Sequence, residues 1–474
     1  MFLRVMTFFL SAFIGLNPVA FAEPVGTALT SAQARDGSWI SWREHIIDGP
    51  EIAGFNLSGS DGLIMADLDG DGRRDIVSVH ESDEEYDSAV ADPDFVPPPA
   101  GHVRIAFAGE GPDDWVNVTL AEGEIVNAPE DVAAADFNGD GYLDLVVAAE
   151  LGHVAYFQNP GAGLTRSETW QGLVRPPTVG RGSFIRVFAA DFNGDGKPEI
   201  STANKGVQRV GREDYVVSKP VSLLVFSGDN PLDGEAWQSL TLGKYSVPQN
   251  ARPVDLDRDG DLDIVVGSRG ERRIAWFENL GDGFLEHAIG VVGPATGGFN
   301  LAFHDVNRDR RLDIIGATSE GLAWFQQPPD IDGAWVAHII GDLGPDTITG
   351  IVVANINGDR RKDILVGSYS RGPRRSDGQV GVADPLGRLA WFEAVRKSGW
   401  RWKRHDISRR QRGMFDKFVA RDMDGDGDVD FVGTRGNSTP FDGVFWLEQV
   451  RTPEPVQVFT PARDNDSPEM PLPY

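Results

Sequence analysis

Residues 67–75 read DLDGDGRRD, and the stretch places carboxylates at its first, third, fifth and ninth positions with glycine at the sixth. Like charges this close repel one another unless water screens them or a cation neutralises them. Hard cations such as calcium bind about six to eight oxygens, which a short loop supplies from alternate side chains and a main-chain carbonyl. The stretch therefore predicts a calcium-binding loop.

This loop recurs along the chain, and the recurrence is the strongest pattern in the sequence. Seven copies start 50 to 69 residues apart, at Asp67, Asp136, Asp191, Asp255, Asp305, Asn355 and Asp422. Self-similarity at this period is typical of solenoids and propellers rather than of several unrelated domains.

Each copy offers the same set of ligands: side chains at positions one, three, five and nine and the main-chain carbonyl of position seven. The predicted ligands are Asp67, Asp69, Asp71, Arg73 and Asp75 in copy one; Asp136, Asn138, Asp140, Tyr142 and Asp144 in copy two; Asp191, Asn193, Asp195, Lys197 and Glu199 in copy three; Asp255, Asp257, Asp259, Asp261 and Asp263 in copy four; Asp305, Asn307, Asp309, Arg311 and Asp313 in copy five; Asn355, Asn357, Asp359, Arg361 and Asp363 in copy six; and Asp422, Asp424, Asp426, Asp428 and Asp430 in copy seven.

The copies are not equally good metal candidates. Glycine at position six suits a backbone conformation that other residues resist, but Arg310 and Arg360 replace it in copies five and six. Copy six is the weakest, because Asn355 and Asn357 leave it only two charged ligands. In copy one we expect the Arg73 side chain to point away from the ion. The alternative for every copy is a solvated acidic turn without metal.

Short apolar runs flank every loop and predict strands. GLIMA or GIVVA precedes a loop and IVSV or ILVGS follows it, then an aromatic run such as LAWF, and then a run that starts at an aromatic residue. Runs of this length bounded by glycine and aspartate suit buried strands. Each unit is therefore predicted to be a four-stranded antiparallel meander, which buries both faces only against equivalent neighbours.

Seven such sheets in a ring make an all-β, seven-bladed β-propeller. Copies one to six have a fourth strand, starting at Trp115, Trp170, Trp237, Phe284, Trp335 and Trp402, but copy seven does not. WREHIID at residues 42–48 reads like the fourth strand WVAHII. We expect it to complete the last blade, so that the amino-terminal strand closes the ring and leaves no exposed sheet edge.

The amino terminus is typical of a signal peptide. It has an early cation at Arg4, an apolar run from Val5 to Leu16, and small residues at Ala20 and Ala22. A membrane anchor is the alternative, but the apolar run is short for a bilayer span. We expect residues 1–22 to be removed and the protein to be periplasmic or extracellular, with the propeller at 23–450 and a proline-rich acidic tail at 451–474.

Composition narrows the classes of function. The chain has no cysteine and a formal charge of −28, which excludes disulfides and thiol chemistry and disfavours nucleic acid as a partner. No stretch after the amino terminus is apolar enough to span a membrane, and we expect a monomer. The composition of the tail predicts a disordered or loosely draped end.

The arrangement of acidic loops between strands resembles the FG-GAP and VCBS repeat families, which include bacterial exported proteins and the propeller heads of integrin alpha subunits. The resemblance extends from about Trp39 to Gln449. It implies a seven-bladed propeller with calcium ions in the loops between the first and second strands. The role of such calcium is expected to be structural, because closed loops of oxygen ligands leave no clear place for a substrate.

Function is therefore expected on the opposite rim, where long insertions begin at His80, Asn204 and Tyr369. One hypothesis is a module that binds a glycan, including acidic polysaccharide, or a protein partner there. The alternative is a polysaccharide lyase or sugar dehydratase that acts by β-elimination. The candidate catalytic residues are His80, Tyr215 and Tyr369 for proton transfer and Arg209 or Arg371 to neutralise a carboxylate.

Four other histidines share one place in the outermost strand and predict a repeated packing or hydrogen-bonding role rather than catalysis. They are His45, His287, His338 and His405.

Overall fold

The computed structural model describes residues 23–82, 85, 100–164, 166, 170–372, 374, 380–396 and 400–473. The predicted signal peptide and most of the insertion after His80 lie outside these residues. The described chain forms seven β-sheets, and five of them consist of four antiparallel strands. The other two sheets each carry one additional strand of two residues.

The strands follow the chain in order around the ring, after an initial strand β1 (Trp39–Asp48). Blade one consists of β2 (Ser60–Ala66), β3 (Asp75–His80), β4 (His102–Ala108) and β5 (Trp115–Glu122). Blade two consists of β6 (Pro129–Ala135), β7 (Asp144–Ala149), β8 (Val154–Gln158) and β9 (Gln171–Val174). Blade three consists of β10 (Phe184–Ala190), β11 (Glu199–Asn204), β12 (Ser218–Phe226) and β13 (Trp237–Ser246). Blade four consists of β14 (Pro248–Val254), β15 (Asp263–Ser268), β16 (Arg273–Asn279) and β17 (Phe284–Ala288).

Blade five consists of β19 (Thr296–His304), β20 (Asp313–Thr318), β21 (Gly321–Gln326) and β22 (Trp335–Gly341), with the short β18 (Val291–Val292) parallel to β22. Blade six consists of β23 (Thr347–Ala354), β24 (Asp363–Tyr369), β25 (Gly387–Arg396) and β26 (Trp400–Arg410). Blade seven consists of β27 (Phe418–Arg421), β28 (Asp430–Arg435), β29 (Gly443–Thr452) and β1, with β30 (Phe459–Thr460) beside β1. The predicted seven-bladed propeller is confirmed.

The ring closes as predicted. Strand β1 pairs antiparallel with β29 from Trp39 opposite Thr452 to Asp48 opposite Val444. The first strand of the chain is thus the outer strand of the last blade, and the two ends of the propeller are held together by main-chain hydrogen bonds.

Apolar side chains are buried between the blades rather than in one central core. Within the described residues, a cluster of buried side chains lies between each pair of neighbouring blades, for example Val77 and Ile105 of blade one against Leu145 and Phe157 of blade two. A strand with four to six consecutive buried residues therefore packs against the blades on both of its sides, as expected for stacked sheets.

The outer histidines have the predicted packing role. His45, His287, His338 and His405 stack on tryptophans of the neighbouring third strand, with ring centroids 4.2 to 4.7 Å apart. Their Nε2 atoms lie 2.8 to 3.1 Å from a glutamate or glutamine side chain on that third strand. These contacts fix the outermost strand of four blades.

The tail is ordered and packed, so the expected disorder is wrong. Phe459 is buried beside Trp42 in the sheet, and Arg435 donates two hydrogen bonds to Asp466 at 2.7 and 2.9 Å. Arg409 N donates to Glu469, and Met470 N donates to the carbonyl of Arg409. Individual ion pairs with buried arginines, which composition does not reveal, hold the proline-rich segment against blades six and seven.

Helical structure is minor in the described residues. It consists of one α-helical turn at Pro50–Ala53 and short 3₁₀ turns. None of the described helices has the length and hydropathy needed to span a membrane.

Candidate functional site

The two rims of the propeller carry different chemistry. Every acidic loop joins the first and second strands of a blade, whereas the insertions join the second and third strands. Successive strands run in opposite directions, so these two sets of connections lie at opposite ends of the blades. The metal candidates and the insertions are therefore on separate rims.

A cavity of 620 Å³ opens on the insertion-bearing rim. Blades one to six and Met414, in the connection that leads to blade seven, contribute to its lining, which places it on the axis of the ring. Its wall is polar: Lys205, Gln208 and Arg209 come from blade three, and Tyr369 and Arg371 come from blade six. A cavity of this size and polarity suits a hydrophilic ligand.

Four carboxylates are buried at the wall of the cavity, on blades one and two. They are Asp61, Glu81, Glu130 and Glu150, each at most 8% exposed. Two cations accompany them, because Arg374 pairs with Glu81 and Lys205 pairs with Glu150.

Burial and mutual repulsion decide the protonation of these groups. Burial, followed by the charge of Glu81, raises the pKa of Asp61 well above its ordinary value. Burial and the charge of Glu150 do the same to the pKa of Glu130. Burial alone would also raise the pKa of Glu81, but Arg374 holds it below the ordinary value.

Below the cavity, ion pairs cross the axis of the ring. Arg186 of blade three donates to Asp416, which precedes blade seven, at 2.8 Å. Lys417 of blade seven donates to Asp131 of blade two at 3.0 Å. The Arg186–Asp416 pair is fully buried, whereas the Lys417 side chain is partly exposed, and both pairs connect parts of the ring that are not neighbours.

On the opposite rim, the acidic loops share one backbone geometry. In copy one, Asp67 accepts hydrogen bonds from the main-chain N–H of Gly70 at 2.8 Å and of Gly72 at 3.0 Å. Positions four and six are left-handed in every copy; in copy six, Arg360 has a φ of 74°. The first acid therefore organises the turn in copies one, two, three, five and seven even before any ion is considered.

The acid at position nine connects the loop to the rest of its blade. Asp75 is fully buried, and it accepts hydrogen bonds from Leu68 N at 2.9 Å and from Ala108 N, at the end of the third strand, also at 2.9 Å. Equivalent pairs of bonds reach Asp144, Asp263, Asp313, Asp363 and Asp430. Burial raises the pKa of Asp75 to about 6 and that of Asp363 to about 7, and a nearby cation would oppose this rise.

Copies four and seven fit a calcium ion best. Carboxylate oxygens of Asp255, Asp257 and Asp259 lie within 4.8 Å of one another. The buried Oδ1 atoms of Asp255 and Asp261 accept no hydrogen bond within the described structure. In copy seven, Asp422, Asp424 and Asp430 converge in the same way and Oδ1 of Asp428 is likewise without a partner. Such oxygens need a cation or water.

In copies one, five and six, arginines compete with an ion. Arg166 reaches copy one from blade two and bonds Asp69 at 3.0 Å and Asp71 at 2.9 Å. Arg73 contacts Asp71 rather than pointing away, so that expectation is wrong. The position-seven arginines of copies five and six contact the position-five aspartates in the same way.

Sequence comparison detects the repeats directly. The model of the FG-GAP-like repeat matches residues 136–201, 255–316 and 305–366, which include the acidic loops of copies two to six. The chain carries FG-GAP-like repeats on a seven-bladed propeller. No curated protein matches this chain significantly.

Solved structures similar to this FG-GAP repeat propeller include three proteins of low sequence identity. An Agrocybe aegerita lectin specific for non-reducing terminal N-acetylglucosamine is 14% identical, with a TM-score of 0.45 over 80% of this chain and 94% of that chain. YCF48 from Cyanidioschyzon merolae is 11% identical, with a TM-score of 0.46 over 86% and 98%. The V. cholerae biofilm matrix protein Bap1 is 11% identical, with a TM-score of 0.42 over 88% and 92%. Likenesses at this level add nothing to the assignment, which rests on the repeats.

The FG-GAP repeat propeller brings together three of the five candidate catalytic residues. Tyr369, Arg209 and Arg371 line the cavity. His80 does not: it is fully buried in β3, bonded to the hydroxyls of Ser60 and Ser78, and burial lowers its pKa to about 3. Tyr215 lies outside the lining of the cavity, beside the guanidinium of Arg269.

Sequence reasoning missed the amides that link neighbouring blades of the propeller. Asn159 Nδ2 donates to the carbonyl of Leu68 in the preceding blade at 2.9 Å, and Asn279 and Gln327 make the same bond to the blades before them. The signal was present, because an amide follows each aromatic run in FQN, FEN and FQQ. It becomes meaningful only once the aromatic runs are known to be third strands.

Proposed function

We propose that the protein is an exported, calcium-binding propeller that binds a glycan in the cavity on its insertion-bearing rim. The cavity is the observation that supports this best, because its 620 Å³ suit a short segment of a saccharide. Guanidinium, ammonium, amide and carboxylate groups surround it and can bond sugar hydroxyls. Arg209 and Arg371 favour a saccharide that carries carboxylate or sulfate, since planar guanidinium groups bind these anions with two hydrogen bonds.

In this proposal calcium has a structural role. The acidic loops lie on the rim opposite the cavity, and each ties two strands of its own blade. Ions bound there stabilise the folded chain relative to the unfolded one and keep the scaffold of the cavity rigid. Export rests on the amino-terminal sequence, and calcium-rich extracellular surroundings suit loops of this kind.

The proposal is tested by binding to a panel of neutral and acidic polysaccharides, measured by calorimetry on the calcium-loaded protein. Arg371→Ala should weaken binding of an acidic glycan about tenfold, the effect of losing about 1.4 kcal/mol from one charged hydrogen bond. Arg401→Ala is the matched control, because this substitution removes the same charge from an exposed position on the outer strand β26, far from the cavity. Equal effects of the two variants, or no binding across the panel, would argue against the glycan and favour a protein partner.

Catalysis by β-elimination is the second candidate function, because Tyr369 shares the cavity with Arg209 and Arg371. Elimination needs a group that transfers a proton and a cation that neutralises the uronate. A rise in ultraviolet absorbance from an unsaturated uronate, lost in Tyr369→Phe and kept in Tyr215→Phe, would support a lyase. A flat trace on glycans that the protein binds would exclude it.

A further inference from the structure

Three buried carboxylates meet where blades one and two face the cavity. Asp61 lies in β2, Glu81 directly follows β3, and Glu130 lies in β6, and their exposures are 2%, 2% and 8%. One oxygen from each carboxylate lies within 4.8 Å of oxygens from the other two. The fold thus gathers three acids from different strands at one point away from the repeated loops.

Protein cations do not neutralise this cluster fully. Glu81 pairs with Arg374. Glu130 is 3.5 Å from Arg186, but Arg186 donates at 2.8 Å to Asp416 and so is shared. Asp61 forms no ion pair with any residue that the structure describes.

The Asp61 carboxylate gives an independent indication of a missing ligand. It belongs to the cluster and lines the cavity, yet its buried Oδ1 accepts no hydrogen bond from the described residues. A buried carboxylate oxygen without a donor costs free energy unless a cation or water contacts it. Asp61 and Glu81 share a hydrogen bond within the cluster, and two carboxylates share such a bond only through a proton. A cation at this point would replace that proton and would also contact Oδ1.

We infer that Asp61, Glu81 and Glu130 bind a divalent cation on the wall of the cavity. The ligand set consists only of oxygen, which suits a hard ion such as calcium or manganese rather than a thiophilic metal. Ligands on opposite sides of a calcium ion at about 2.4 Å lie about 4.8 Å apart. Oxygens that are all within 4.8 Å of one another can therefore contact one ion together.

This site is separate from the repeated acidic loops. It is built at the beginnings and ends of strands on the insertion-bearing rim, whereas the loops lie on the other rim. Three protein ligands leave coordination positions for water or for an oxygen of a ligand in the cavity. The inference goes beyond the proposed glycan binding and does not depend on it, because cation binding is measurable without a glycan.

The test is anomalous diffraction from crystals of the full mature chain grown with Mn²⁺, combined with equilibrium dialysis against Mn²⁺. The expected result is an anomalous peak between the three carboxylates. Asp61→Asn keeps the shape of the side chain and should remove this peak and one equivalent of bound Mn²⁺. Asp257→Asn, in the loop of copy four, should weaken a loop peak and leave the central peak unchanged.

The outcomes are distinguishable. Peaks in the loops without a central peak in the wild-type protein would overturn the inference and mean that the carboxylates share protons instead. An unchanged Mn²⁺ count in both Asp61→Asn and Glu130→Gln would overturn it as well. Glu130→Gln is the second variant if Asp61→Asn does not fold, and the wild-type map is informative whether or not either variant folds. A central peak in a protein that binds no glycan would support the site and contradict only the proposed function.

Discussion

The ion pair between Asp466 and Arg435 gives a quantitative test of how the tail holds the propeller. The Asp466 side chain is 7% exposed and that of Arg435 is 2% exposed, and two hydrogen bonds join them. Arg410 lies 3.5 Å from the same carboxylate. Asp466→Asn keeps the shape of the side chain but leaves the guanidinium of Arg435 buried without an anion.

Removing one partner of a buried ion pair costs about 3 to 5 kcal/mol. The lower value applies here, because the asparagine oxygen still accepts one hydrogen bond. For 474 residues, an unfolding entropy of about 2.1 cal/mol/K per residue sums to about 1 kcal/mol/K, so Asp466→Asn should lower Tm by about 3 °C. Differential scanning calorimetry at pH 7 measures this shift.

The pH dependence gives a second readout. Burial alone would raise the pKa of Asp466, but Arg435 and Arg410 hold it well below its ordinary value. A carboxylate with a lowered folded-state pKa contributes stability that is complete above its unfolded pKa of about 4 and is lost as the pH falls through the folded value. The difference in Tm between wild type and Asp466→Asn should therefore be full at pH 5 to 7 and shrink below about pH 4.

The control is Asp464→Asn, which removes the same charge from an exposed position two residues away. Its Tm should equal that of the wild type within experimental error. Equal shifts in Asp464→Asn and Asp466→Asn at pH 7 would refute the docking of the tail through Asp466.

Three further predictions follow from the loops and the blade interfaces. Chelation should lower Tm and added calcium should restore it, with Asp257→Ala reducing this response more than Asn355→Ala; a Tm that chelator does not change would exclude structural calcium. Arg360→Gly should raise the free energy of unfolding by about 0.5 kcal/mol in urea titrations. A φ of 74° costs a non-glycine residue about 1 to 2 kcal/mol, but the greater chain entropy of glycine in the unfolded state offsets part of the gain. A loss of stability would show that contacts of the arginine side chain matter more than its backbone strain. Asn159→Ala should cost about 2 to 4 kcal/mol because it leaves the buried carbonyl of Leu68 and the partly buried carbonyl of Leu143 without this donor. Asn465→Ala, at an exposed position, should cost almost nothing; similar small losses in both variants would place the stability of the interface in apolar contacts alone.

Repetition made most of the fold predictable. The seven acidic loops, the alternating apolar runs and the resemblance of residues 42–48 to other fourth strands were enough to predict the blades and the closure of the ring. These features recur, and each copy supports the interpretation of the others. Features that occur once had no such support.

The cavity and the tail could not be predicted for that reason. Asp61, Glu81 and Glu130 occupy three different strand ends, and only the stacking of blades one and two makes them neighbours. His80 was predicted to be the first residue of an accessible insertion, but it is the last residue of a strand whose two faces are both buried. In the tail, Phe459 and Asp466 dock by single contacts that a proline-rich composition hides.

The pairing of β1 with β29 also determines the order in which the strands can pair as the chain is synthesised. Strand β1 leaves the ribosome first, and its partner begins only at Gly443. At about 5 to 20 residues per second, β1 waits roughly 20 to 80 s for that partner. Blades one to six can stack in the meantime, while Ile40, Trp42 and Ile47, which are all buried in the finished ring, stay exposed to water. Among the described strands of the ring, the first strand therefore waits longest for its antiparallel partner.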